Sequence, residues 1–104
     1  MAQFGTIAGP NLYQLALTAS AQMAAVPANP SRVGLTIQNN SGQIVTFTFG
    51  TTTPVSASTG IQIPANTSTT IPASGMGTVG NIGAQINFIS ATAGPNNCTV
   101  VEYF

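Results

Sequence analysis

Three features of the 104-residue chain have residue types and spacing that could support chemistry. The first is Gly75-Met76-Gly77-Thr78-Val79-Gly80, which fits the G-x-G-x-x-G pattern that seats a pyrophosphate at a helix N-terminus. The others are a lone cysteine, Cys98, and the two charged residues, Arg32 and Glu102. Glu102 follows Gly80 by 22 residues, close to the offset of the acidic residue that holds the ribose in dinucleotide-binding folds. That use of the glycines also needs a helix opening from Gly80. The chain instead continues as Asn81-Ile82-Gly83, then Ile86 and Phe88 among β-favouring neighbours, too short a helical pattern for a crossover. The glycines therefore read as a loop joining two strands, free of side chains and able to approach another backbone closely.

General acid–base catalysis at neutral pH recruits His, Lys or a tuned carboxylate, and the chain has no His, Lys or Asp. Cys98 has no basic neighbour to hold it as a thiolate and reads as a small buried hydrophobe. One thiol and one carboxylate do not make a zinc, calcium or magnesium site. The expectation is a non-enzymatic protein with no catalytic, cofactor-binding or metal residues and no small-molecule substrate. Arg32 lies at the start of one proposed strand and Glu102 near the end of the last, and antiparallel neighbours bring a start beside an end. Each has one charged side-chain partner available in the chain, so a bidentate Arg32–Glu102 ion pair clipping these strands is expected.

The elements that must position these residues are written in a nearly uncharged alphabet. Charged residues make up 2% of the chain, against roughly 25% in an ordinary soluble domain. Thr, Ser, Asn and Gln supply 39 neutral polar residues in their place. These groups hydrate well but do not repel one another, which suits a chain held in an assembly. No basic stripe exists to neutralise phosphates, so no nucleic-acid partner is expected. The apolar-leaning run 12–26 is interrupted by Gln14, Thr18, Ser20 and Gln22, so no membrane span is expected. The opening MAQFGTIAGP has no Lys or Arg ahead of an apolar stretch, and synthesis in a cytosol is the expectation.

With 43% apolar residues in regular patterns, the chain reads as one folded domain. Residues 14–23 alternate, with Leu15, Leu17, Ala19, Ala21 and Met23 on one face, and predict a strand over a competing Ala-rich helix. Pro27 and Pro30 mark a redirecting loop. Val33, Leu35 and Ile37 point one way, Asn39-Asn40-Ser41-Gly42 forms a turn, and Val45, Phe47 and Phe49 resume the alternation, predicting a hairpin over 33–49. A short strand with Ile61 and Ile63 inward, β-branched residues 67–71, a strand over 84–90 and another over 98–103 come next. About seven short strands imply an all-β, single-domain antiparallel β-sandwich or barrel over 12–104, preceded by an N-terminal arm, 1–11.

Phe47, Phe49 and Phe88 sit on alternating positions and read as core. Phe4, Tyr103 and Phe104 lie near the ends of the chain, where Tyr and Phe serve as interface anchors, and with Gly75, Met76 and Gly77 they form the candidate interface.

Residues 28–42, Ala28-Asn29-Pro30-Ser31-Arg32-Val33-Gly34-Leu35-Thr36-Ile37-Gln38-Asn39-Asn40-Ser41-Gly42, carry the order N-P-x-R-x-x-L-x-I-x-N-x-S. After them come an aromatic strand ending in Gly50, the stretch Gly60-Ile61-Gln62-Ile63-Pro64-Ala65-Asn66, and Val100-Val101-Glu102. In this order the chain resembles a family of small tailed-bacteriophage virion proteins of the capsid decoration, or cement, type, over about residues 28–102. The Gly-rich segment 73–83 departs from the family pattern in being longer. The resemblance implies a β-sandwich on the virion capsid surface, made in the host bacterial cytoplasm, with the major capsid protein as partner and self-association as a homotrimer. A tail or head-fibre attachment module, recognising a receptor through the polar loops 51–59 and 73–83, is the alternative.

Overall fold

The computed structural model describes residues 10–51, 55–71 and 82–104. Within them the chain forms β1 (Asn11–Leu17), β2 (Gln22–Val26), β3 (Gly34–Asn39), β4 (Val45–Phe49), β5 (Ile61–Ile63), β6 (Ser68–Ile71), β7 (Ile86–Ser90) and β8 (Asn96–Tyr103). They pair antiparallel in two four-stranded sheets, in the orders β1-β8-β3-β6 and β2-β7-β4-β5. Successive strands alternate between the sheets everywhere except at the β4–β5 hairpin, and the two orders together are those of an eight-stranded jelly roll. The molecule is thus an all-β sandwich, with eight strands described where about seven are expected from the sequence.

Inward positions of both sheets supply the core. Leu17, Val26, Leu35, Ile37, Val45, Phe47, Ile86, Phe88 and Val100 are all fully buried, and Cys98 lies among them. Each large side chain so buried contributes about 1.5–3 kcal/mol. Phe47 is the hub of the aromatic contacts, with ring centroids 5.9 Å from Phe88 and 5.9 Å, edge-on, from the half-buried Phe49.

The period of two marks inward residues without saying which sheet carries them, and two readings fail for that reason. Residues 14–23 are not one strand: β1 ends at the buried Leu17, the chain turns over 18–21, and β2 enters the opposite sheet. The alternation runs on through the corner, but Met23 is 44% exposed. Residues 33–49 are not a hairpin either, because β3 pairs with β6 and β8 while β4 pairs with β5 and β7. The two strands face each other across the core instead of lying side by side. Two single positions also differ. Val33 precedes β3 and is exposed, and Ile61, on the three-residue edge strand β5, is exposed while Ile63 is buried. At the front of the chain, Asn11 does not belong to an arm: it is the first residue of β1 and pairs with Glu102.

The two outer faces differ. Residues 55–60 fold over the β2-β7-β4-β5 sheet, burying Val55 and Thr46, whose Oγ1 donates to Ala57 O at 3.5 Å. Gly60 allows this close approach: its φ is +141°, and a Cβ there would stand 2.6 Å from Phe47 O. Gly60→Ala is expected to lower stability by about 1–3 kcal/mol with an unchanged denaturant m-value, as read from urea unfolding. Among the described residues nothing folds over the outer face of the other sheet, where Gln14, Thr99, Gln38 and Ser68 lie in register across all four strands.

Candidate functional site

The turn after Pro27 sets the first half of the site. Asn29 Oδ1 accepts from Ser31 N at 3.0 Å and Asn29 O from Arg32 N at 2.9 Å, which points the chain at the end of β8 just before β3 begins. Glu102 meets it there from an inward position of β8, in register between Asn11 and Leu35. Arg32 Nε donates to Glu102 Oε2 at 2.7 Å, and Nη2 forms an ion pair with the same oxygen at 2.7 Å. Both guanidinium nitrogens therefore converge on one oxygen instead of forking over two. The other oxygen is occupied: Oε1 accepts from Asn11 Nδ2 at 3.0 Å and from the Tyr13 hydroxyl at 3.2 Å. Arg32 spends its remaining donors on backbone carbonyls, Nη1 on Ile82 and Ala84 at 2.8 and 2.7 Å and Nη2 on Pro27 at 2.7 Å. The pair ties β1, β8, the 27–32 turn and the 82–84 turn into one fully hydrogen-bonded knot.

This arrangement holds a carboxylate charge in place. Burial by itself would raise the Glu102 carboxyl, but the hydrogen bonds from Asn11 and Arg32, the Arg32 charge and the Tyr13 hydroxyl outweigh it and hold the group below the usual carboxylate range. Burial pushes the Cys98 thiol up to about 12, which keeps it protonated at neutral pH. Among the described residues no group of three or more His, Cys, Asp or Glu comes together.

These shifts set the pH profile of stability. Glu102 is lowered on folding, so its contribution is present above its unfolded value of about 4.3 and is lost as pH falls through the folded value. Cys98 is raised, so its contribution is complete below about pH 8.5 and declines by about 1.4 kcal/mol per pH unit as pH rises towards the folded value. Burial also raises the Tyr13 hydroxyl, chiefly, with the Glu102 charge adding to it, and steepens the loss above about pH 10. Urea midpoints are expected to be flat from roughly pH 5.5 to 8 and to fall on both sides, and Cys98→Ala is expected to remove the slope between roughly pH 9 and 10.

The larger consequence is for the surface. Arg32 and Glu102 are 2% and 1% exposed, and the sequence contains no other Lys, Arg, Asp, Glu or His. Solvent therefore meets no charged side chain. On the outer face of the β1-β8-β3-β6 sheet, Leu12 lies opposite Val101 and is 59% exposed. Beside Gln14 and Ala16, with Asn40, Asn97 and Thr99, is a hollow of about 450 Å³.

Of the candidate interface residues, Tyr103 closes β8 and Phe104 comes after it, both half-buried, with Tyr103 O accepting from Val33 N at 2.8 Å. Phe4, Gly75, Met76 and Gly77 lie outside the described residues. Sequence reasoning missed two fully buried amides, Asn39 and Asn87. Asn87 Oδ1 accepts from Ala24 N at 2.8 Å, where Ala24 bulges out of β2 at φ 54°, and its Nδ2 donates to Gly50 O at 2.6 Å. In a chain with nine Asn, nothing distinguishes these two from solvated ones except their place inside apolar alternation.

No protein-family model matches the chain, and no match was found among curated proteins or solved structures.

Proposed function

We propose that this domain is a non-enzymatic structural protein of a bacteriophage virion, a decoration protein that binds the capsid surface and stabilises the shell. The observation that carries the reading is the burial of both charged side chains against each other. A surface of neutral hydrogen-bonding and apolar groups binds through area, shape and backbone pairing, and nothing on it steers a charged substrate or neutralises a polyanion. The N-P-x-R to V-V-E order supplies the specific class, and the arginine and glutamate of that order are the two residues of the buried knot. The jelly-roll topology agrees with the role, since viral capsid domains use it, although a fold by itself carries no function. The partners under this reading are the major capsid protein and other copies of the chain, gathered as homotrimers.

Cryo-electron microscopy of the particle tests it. The expected result is one jelly-roll density per protomer on the outside of the head shell, at its local three-fold positions. Density confined to the tail or to head fibres would support receptor attachment instead and overturn the reading.

A further inference from the structure

Each sheet has two edges, and three of the four are poor templates for another strand. β2 is bulged between Gln22 and Val26, β5 has three residues and β6 has four. β1 is different. Its seven residues pair with β8 in unbroken register, and it contains no Pro, Gly or charged residue, the devices by which edge strands refuse partners. Among the described residues no strand pairs with its other side.

The hydrogen-bond parity says which groups that side offers. In an antiparallel ladder, alternate residues turn both N–H and C=O towards the same neighbour. Asn40 N donates to Asn97 O at 3.0 Å, so the odd-numbered residues of β8 face β3 and the even-numbered ones face β1. Their β1 partners are Asn11, Tyr13, Leu15 and Leu17. Leu12, Gln14 and Ala16 consequently turn their N–H and C=O away from β8. The Gln22 side chain agrees, donating Nε2 to Ala16 O at 2.9 Å.

We propose that this edge pairs antiparallel with β1 of a second copy of the chain, about a two-fold axis at Gln14, joining two sheets into one. In that register Gln14 lies opposite itself, and Leu12 of each copy lies opposite Ala16 of the other. Three observations select a second copy as the occupant. An amide is both donor and acceptor and is complementary to itself across a dyad, as a charged side chain is not. The exposed Leu12 of one copy comes over the hollow beside Ala16, Asn97 and Thr99 of the other, so a protrusion and a recess meet at matched positions. The face has no charge to pair with a charged partner, whose groups would lose hydration without compensation. Ala16 O has two acceptor lone pairs and can keep the Gln22 amide while taking a ladder bond. The contact is two-fold and leaves any three-fold contact of the proposed trimers to other surfaces.

The test uses the full-length chain in solution and does not involve capsids, so its outcome is independent of the proposed virion role. Two residues of a hydrogen-bonded antiparallel pair stand about 5.5 Å apart at Cα, within disulfide range. In a Cys98→Ala background, Gln14→Cys is expected to oxidise to a covalent dimer, and Gln38→Cys, on the same outer face but away from the edge, is not. Gln14→Pro removes an N–H that β8 does not use, so the domain is expected to keep its β-sheet circular dichroism and lose the two-fold contact in sedimentation velocity. Gln14→Lys, which places like charges opposite each other, is expected to weaken that contact about fivefold and serves if the proline variant fails to fold. Equal cross-linking at positions 14 and 38, or self-association unchanged by Gln14→Lys, would overturn the proposal.

Discussion

Glu102→Gln is expected to cost the domain about 3–5 kcal/mol, a large fraction of the roughly 5–15 kcal/mol that separates folded from unfolded states. Glutamine preserves the shape and one acceptor oxygen, so the loss comes from the charge and from an amide nitrogen set against donors, because both Glu102 oxygens accept hydrogen bonds. The Arg32 guanidinium stays buried, held to the Pro27, Ile82 and Ala84 carbonyls, with no counter-ion in a chain that has no other carboxylate side chain. Arg32→Met is expected to cost a similar amount for the converse reason, leaving a buried carboxylate with only Asn11 and Tyr13 as donors. Because either change disrupts the same knot, the double variant is expected to be about as unstable as either single one. A coupling of about 3–5 kcal/mol, equal to the cost of one single variant, from urea unfolding of the four proteins at pH 7 checks this. Additive losses would mean that the two side chains act independently.

Asn39 is the second position where one atom decides much. Its Nδ2 donates to the carbonyls of Gln43, Ile63 and Pro64 at 2.7, 3.1 and 3.1 Å, and its Oδ1 accepts from Ser41 N and Oγ at 3.0 and 2.7 Å. The side chain thereby joins the β3–β4 corner to the turn after β5, and carries the chain from one sheet to the other. Asn39→Asp substitutes an acceptor for a donor facing three carbonyls and buries a charge, at a cost expected to exceed about 3 kcal/mol at pH 7. Protonation restores a donor at that position. The loss is therefore expected to shrink as pH is lowered to about 5, opposite in sign to the acid dependence of the parent domain, and parallel denaturation at the two pH values measures it.

The part of the fold legible in the residues is the part that a period of two encodes. Leu35, Ile37, Phe47, Phe88 and Val100 are recognisable as inward-facing, because alternation reports which side of a strand meets the core. Alternation does not report the partner strand. In a jelly roll most successive strands sit in opposite sheets, so 33–49 has the pattern of a hairpin while forming a corner. The cue that separates the two is Asn39, an amide at an inward position just before the turn, where a plain hairpin would place an apolar residue. The Arg32–Glu102 contact was foreseeable for a simpler reason, since the chain offers each side chain no other charged partner. Its geometry was not, because the crowding of Oε1 by Asn11 and Tyr13 depends on β1 lying beside β8, and the sequence distance of 89 residues or more gives no local sign of that. The free edge of β1 was hidden for the same reason: an edge is a property of sheet order.

Under the proposed role, the protein attaches to its shell through an uncharged surface. The most direct measurement is binding of the purified chain to capsid shells of its virus, by co-sedimentation, from about 50 to about 500 mM NaCl, a range over which the screening length falls from roughly 14 to 4 Å. Attachment through neutral contacts predicts bound fractions that stay within about twofold across the range, and a steep fall with salt would show that charge carries the interface and contradict that mode of attachment.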